Sequence, residues 1–216
     1  MISCRSVTER EEGMRPWTTI EKPGLFICHQ NFTSTDDACD LIIGISTKWA
    51  AFWPRSHGWA PSIAADLMKQ ELMDRQLEMA RALKKWPKRL LDEDSQGDLV
   101  LAWTNLGSVI EGALKVYMCV FYVDWLNDED TPVRRSDKKT PDGGKLGAMF
   151  EEIIQFVAKK GLFKEEEIEF IRLVQQQRNL IHPLKMGTVK DRKSFEEAVF
   201  HTAALHNDIE LRLPDP

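Results

Sequence analysis

The 216-residue sequence has only two tyrosines and four cysteines, Cys4, Cys28, Cys39 and Cys119. No two cysteines form a CxxC pair, which excludes the usual zinc-ribbon and thioredoxin-like motifs, and four are too few for a disulfide scaffold. Reduced thiols are expected. The longest uninterrupted apolar run, Val116 to Val123, has eight residues, against about 20 for a helix that crosses a bilayer. The first twelve residues hold no apolar signal core, so a cytoplasmic location is expected, with no membrane partner. A Gly-rich phosphate loop is missing too: Gly143-Gly144-Lys145 lacks the upstream glycine and the following hydroxyl of a Walker sequence. Neither Gly-x-Ser-x-Gly nor HExxH occurs, which removes two common hydrolase signatures. The net charge of −5, from 34 acidic and 29 basic residues, argues against a protein that coats nucleic acid through its overall charge.

What is abundant is bulk: seven tryptophans, ten phenylalanines and eight methionines, with no β-rich runs. This suggests packing between helices. Residues 1–33 read as an irregular N-terminal arm, broken by Pro16, Pro23 and Gly24. Residues 34–216 read as one helical domain. Ser34-Thr35-Asp36-Asp37 is an N-terminal capping signal, followed by Leu41, Ile42, Ile45, Trp49 and Phe52 at 3- and 4-residue spacing. A second helix is expected from Pro61-Ser62 to the residue before Pro87. A third, about Gly97 to Asn127, is apolar nearly all round at its end and should be central. Residues 128–144, with five acids, four bases and two prolines, read as a mobile loop. Three more helices follow: Leu146 to Lys160, ended by Gly161; Lys164 to about His182, opened by three glutamates; and Ser194 to Leu213, with Ser194 as cap and Glu197 completing a capping box. The expected architecture is an all-α bundle of about six helices around a long central one.

One segment carries chemistry. In Arg178-Asn179-Leu180-Ile181-His182-Pro183, Arg178 and His182 are four apart and so share a helix face, with Asn179 one position around. Pro183 disfavours helical geometry at His182, which places the imidazole at the helix end as a proton donor and acceptor beside a fixed cation and an amide. Between Arg172 and Lys193 stand Arg172, Arg178, Lys185, Lys190, Arg192 and Lys193 against the single acid Asp191, a local +5 within a −5 chain. A phosphate-bearing ligand is favoured there. The same residues allow a structural reading, in which Arg178 and His182 only terminate a helix.

This segment, at the end of the penultimate long helix of an all-helical domain, resembles the signature of the HEPN (higher eukaryotes and prokaryotes nucleotide-binding) superfamily. The helix Trp103-Thr104-Asn105-Leu106-Gly107-Ser108-Val109-Ile110-Glu111-Gly112-Ala113-Leu114-Lys115 is similar to the long helix of bacterial proteins with such domains. The resemblance covers about residues 95–216, with the first two helices as an extension. It implies RNA or nucleotide as ligand, a homodimer with composite sites, and a metal-independent endoribonuclease of a bacterial defence system. By that resemblance His182 is the general acid or base, Arg178 stabilises the phosphorane charge and Asn179 orients either one. Lys185, Lys190, Arg192 and Lys193 would hold nucleic acid. Active members enclose four to six residues between Arg and His, whereas Arg178 and His182 enclose three. The alternative is a catalytically inactive interaction or scaffold module of the same fold, or a component whose protein partner supplies the activity.

Glu111 interrupts an apolar helix and is expected either as an active-site carboxylate or as an ion-pair partner of Arg178, with Lys115 as its i+4 neighbour. Cys28, His29, Cys39 and Asp40 match no standard zinc spacing, and His201 and His206, five apart, make a poor metal pair. No metal and no cofactor are expected. The Trp53/Trp59 pair with His57 could stack on a base, or simply pack a helix turn.

Overall fold

The computed structural model describes residues 32–57, 62–90, 96–131 and 149–214. Residues 1–31 of the expected arm over 1–33 and most of the 128–144 loop lie outside the described residues, as do Cys28, His29 and Trp59. Within them the chain is all-α. Its helices are α1 (Thr35–Phe52), α2 (Ser62–Leu67), α3 (Gln70–Ala82), α4 (Trp86–Arg89), α5 (Gln96–Val120), α6 (Tyr122–Asn127), α7 (Phe150–Lys159), α8 (Glu165–Arg178) and α9 (Arg192–Arg212). The six of ten residues or more match the six expected from spacing.

Local chemistry sets the ends. Ser34 caps α1 by accepting the Asp37 N–H at 3.2 Å, and the helix stops before the 3₁₀ turn Trp53–Arg55, which contains Pro54. Gly161 adopts φ +58° after α7. The Gly161 N–H then reaches the Ala158 carbonyl and the Leu162 N–H the Val157 carbonyl, both at 3.0 Å, the paired bonds of a glycine-ended helix. At the starts of α7 and α8, Glu152 and Glu167 reach back to the Met149 and Lys164 N–H groups, each at 2.7 Å.

Three expectations are corrected. The single second helix is divided: Lys69 takes extended backbone (φ −49°, ψ 146°) between α2 and α3, and Pro87 lies inside α4, in a first turn where its missing N–H costs nothing. The central helix breaks at Phe121, whose ψ of +34° separates α5 from α6. The cap of α9 is Asp191, not Ser194. The Asp191 carboxylate accepts the Ser194 N–H at 2.9 Å, so Ser194 lies within the first turn.

Helices α1, α3, α5 and α9 close a ring in which each packs on two neighbours; α8 lies on the outer side of α5, and α7 covers α8. By length and composition α5 alone among the described helices would suffice to cross a membrane, yet more than half of its most apolar stretch is buried within the protein. It is the core helix of the bundle. Trp49, Trp103, Trp125, Tyr117, Tyr122 and Phe195 are fully buried, each worth roughly 1.5–3 kcal/mol or more from apolar burial. The indole N–H groups tie elements together: Trp49 to Glu210 of α9 at 2.6 Å, and Trp86 to Asn105 of α5 at 2.8 Å.

The core is not wholly apolar. On α9, Thr202, His206, Asp208 and Arg212 face inward and are buried. Asp208 and Arg212 form an ion pair at 2.5 Å, Arg212 also donates to the Leu162 carbonyl, and its guanidinium lies 4.8 Å from the Phe163 ring centroid. His206 stacks on Trp49 with centroids 5.5 Å apart, its Nδ1 3.0 Å from the Thr202 carbonyl.

Candidate functional site: a cationic cleft on the central helix

Arg178 is the last residue of α8. Asn179–Ile181 tighten into a 3₁₀ turn, and His182 follows in extended backbone (φ −74°, ψ 126°), as a residue before proline should. The expected shared helix face is therefore lost. Arg178 turns inward onto α5, while His182 is exposed, with Asn179 half-buried between them. The His182 N–H reaches the Asn179 carbonyl at 3.3 Å, and its own carbonyl accepts the Lys185 N–H at 3.1 Å.

The Arg178 side chain lies against Gly107, where an added Cβ would come within 2.8 Å of the Arg178 Cβ and Cδ. Gly107 thus makes the notch through which the guanidinium reaches Glu111. Arg178 Nη2 meets Glu111 Oε2 at 2.7 Å, and Lys115 Nζ meets Oε1 at 2.6 Å. Glu111 takes both partners the sequence offered. The Phe150 ring of α7, its centroid 5.5 Å from the guanidinium carbon, backs Arg178. A second notch lies five residues on. At Gly112 an added Cβ would come within 2.0 Å of the Gln76 Oε1, and Gln76 Nε2 donates to the Val109 carbonyl at 2.9 Å.

These residues floor a cleft of about 580 Å³ between α2–α3 and α5, within the usual size range of small-molecule sites. Arg75, Gln76, Lys115 and Arg178 supply its polar side around Glu111; Met68, Met73, Met79 and Val116 supply an apolar wall. Cys119 also lines it, but burial pushes its thiol far above the ordinary range, so it is no nucleophile. Burial likewise lifts the Cys39 thiol to about 12.

The local +5 is largely offset by acidic neighbours, two of them one helical turn away in the sequence and one brought in by the fold. Arg172 pairs with Glu151 (3.7 Å), Arg192 with Glu196 (2.7 Å) and Lys193 with Glu197 (3.9 Å). Lys185 and Lys190 remain exposed. The segment carrying them is pinned by Gln177: its Oε1 accepts the Lys190 N–H at 2.8 Å and its Nε2 donates to the Thr188 carbonyl at 3.3 Å. Trp103 donates to the Lys190 carbonyl at 3.2 Å. At its tip Leu184 is fully exposed with φ +63°.

The other candidates separate. Trp53 is buried edge-on against Phe52, where it packs the end of α1; His57 is exposed. His201 meets the Phe170 ring while His206 lies in the core. Among the described residues no three His, Cys, Asp or Glu side chains converge as metal ligands. Sequence reasoning missed the cleft itself and the roles of Arg75 and Gln76. The available signal was Gly107 and Gly112 flanking Glu111 in an otherwise bulky helix.

Fold and site together define an all-α protein with a half-open cationic cleft on its central helix. No protein-family model matches the chain, and no curated protein or solved structure matches it significantly.

Proposed function

We propose that the protein is a HEPN-like helical module, cytoplasmic and part of a bacterial defence or stress system, that binds RNA or a nucleotide through Arg178. The observation that carries this reading is a guanidinium held at fixed depth in an open cleft, with Asn179, His182, Lys185 and Lys190 continuing the surface from the same helix end. Glu111 engages Nη2 of Arg178, and a guanidinium has five donors, so capacity for a phosphate remains.

Cleavage is the further step of this reading. His182 would take the proton of the 2′-hydroxyl as its oxygen bonds to phosphorus, Arg178 would stabilise the charge that develops on the phosphate, and the P–O5′ bond would break; the 5′-oxygen would leave as a hydroxyl, protonated by the imidazolium, with a 2′,3′-cyclic phosphate on the upstream fragment. Since His182 stands outside the Arg178 cleft of its own chain, the reaction calls for a second copy that brings the two residues together. The test is purified protein with labelled single-stranded RNA in EDTA, alongside light-scattering mass. Cleavage lost in His182→Ala and Arg178→Gln, by a dimer, supports the nuclease. Salt-sensitive binding without cleavage, weakened by Arg178→Gln, retains only the binding module.

The competing reading is an inactive scaffold, favoured by the Glu111 carboxylate that already neutralises Arg178. Failure to bind RNA or mononucleotide at any concentration establishes it over the first.

A further inference from the structure

The cleft has two chemically different halves. One is cationic: Lys115 and Arg178 pair with the single carboxylate Glu111, and Arg75 lines the same cleft. The other is a flexible aliphatic wall of Leu67, Met68, Met73, Met79 and Val116. Among the described residues no aromatic ring lines the cleft, so the cleft offers a phosphate a cationic side but gives a nucleobase no described stacking surface, although stacking is what usually holds an unpaired base. Methionine, unbranched and polarisable, suits an alkyl chain of variable shape.

We propose that this cleft binds an unbranched aliphatic carboxylate of medium chain length. Its acid group is held by the Arg75, Lys115 and Arg178 cations, and its chain lies along the methionine wall. Charge complementarity selects an acid: three cations face one carboxylate, and two of the three share it. An arginine fork suits a carboxylate geometrically, and a mostly apolar pocket with a few converging polar groups is the usual form of a small-molecule site. The glycine notches set the spacing, because Gly107 and Gly112 let Arg178 and Gln76 approach α5 closer than any Cβ would allow. The inference does not rest on the RNA reading. It depends on α2 and α3, which precede the part of the chain that resembles the nuclease family.

The test is titration of the full chain, labelled with ¹³C-methyl methionine, with decanoate below its micelle concentration. Expected are saturable shifts of the Met68, Met73 and Met79 methyl signals, assigned by single Met→Leu variants. Octanoate, two methylenes shorter, should bind roughly tenfold more weakly, and decanol, without the acid, at least tenfold more weakly than decanoate. Arg75 is exposed, so Arg75→Glu should keep the fold, checked by circular dichroism, and weaken decanoate at least fivefold. Several results would overturn the proposal: no shift at the three methionines, equal shifts with decanol, or shifts confined to the exposed Met149 and Met186. Saturable shifts of the same three signals by AMP, with none by decanoate, would overturn the proposal and leave the cleft to the nucleotide reading. No RNA is present, so failure here is separate from failure of the nuclease reading.

Discussion

Burying His206 and Asp208 on one helix gives them opposite pH dependences, and substituting either should expose the other. Burial lowers the His206 imidazole from about 6.5 to about 4. Between those values the unfolded chain binds a proton that the folded chain refuses, so stability falls as pH drops through that window. About 2.5 pH units at ~1.36 kcal/mol each amounts to about 3 kcal/mol. For Asp208 burial is again the leading cause, with Arg212 acting against it, and the carboxyl rises from 3.8 to about 6. Here the folded chain binds the extra proton, so stability rises as pH drops from about 6 to 3.8, again by about 3 kcal/mol. The windows overlap, so the two effects oppose each other in the unmodified protein. His206→Phe keeps a ring against Trp49 and removes only the histidine effect. Its stability relative to the parent should improve by about 3 kcal/mol between pH 6.5 and pH 4. Asp208→Asn should worsen by a similar amount over the same range. Urea unfolding followed by tryptophan fluorescence at several pH values measures both, because the buried indoles report the core. Parallel pH profiles for the parent and His206→Phe would refute the reasoning.

Other substitutions probe single local features. Gly112→Ala meets only the movable end of Gln76 and gains helix propensity, so it should hold or raise the melting temperature. Gly107→Ala meets Cβ and Cδ of Arg178 and should lower stability by about 1–3 kcal/mol in thermal unfolding. Asp191→Ala should cost about 1 kcal/mol in urea titration, while Ser194→Ala stays within about 0.5 kcal/mol, because only Asp191 caps α9. Gln177→Leu strands the Thr188 carbonyl and the Lys190 N–H; limited proteolysis with trypsin should then cut faster at Lys185 and Lys190, with a stability loss of about 1–3 kcal/mol.

The six long helices were legible because a 3.6-residue apolar period is a local property, and Gly161, Ser34 and Pro54 are local signals too. The breaks at Lys69 and Phe121 carry neither glycine nor proline, so nothing in the linear pattern marks them. Asp191 and Ser194 are both good caps, and only the backbone path decides between them. At the site, Glu111 stood out as a carboxylate in an apolar helix, and its two partners were readable from spacing and charge. The cleft was not readable, since its far wall comes from α2 and α3, some 40 residues earlier in the chain. The basic block was visible as a sum, but Glu151, Glu196 and Glu197 offset it through folding and turn proximity. The loss of a common face for Arg178 and His182 follows from the 3₁₀ turn, whose tighter winding is set by the approach to Pro183.

The charges inside α9 restrict how that helix can be seated. A slide of one turn, 5.4 Å, would carry Arg212 off the Leu162 carbonyl and the Phe163 ring, while Asp208, four residues away on the same helix, moved with it. The pair survives the slide but loses what is built around it, at a cost of about 1–3 kcal/mol for the buried Leu162 carbonyl left without its donor, a penalty that a purely greasy helix would escape by repacking in a neighbouring register. Helix α9 therefore has a single seat. Because it forms one side of the ring with α1 and α5, that seat fixes the axial alignment of the core helix, and with it the height at which Gly107 and Gly112 meet their partners.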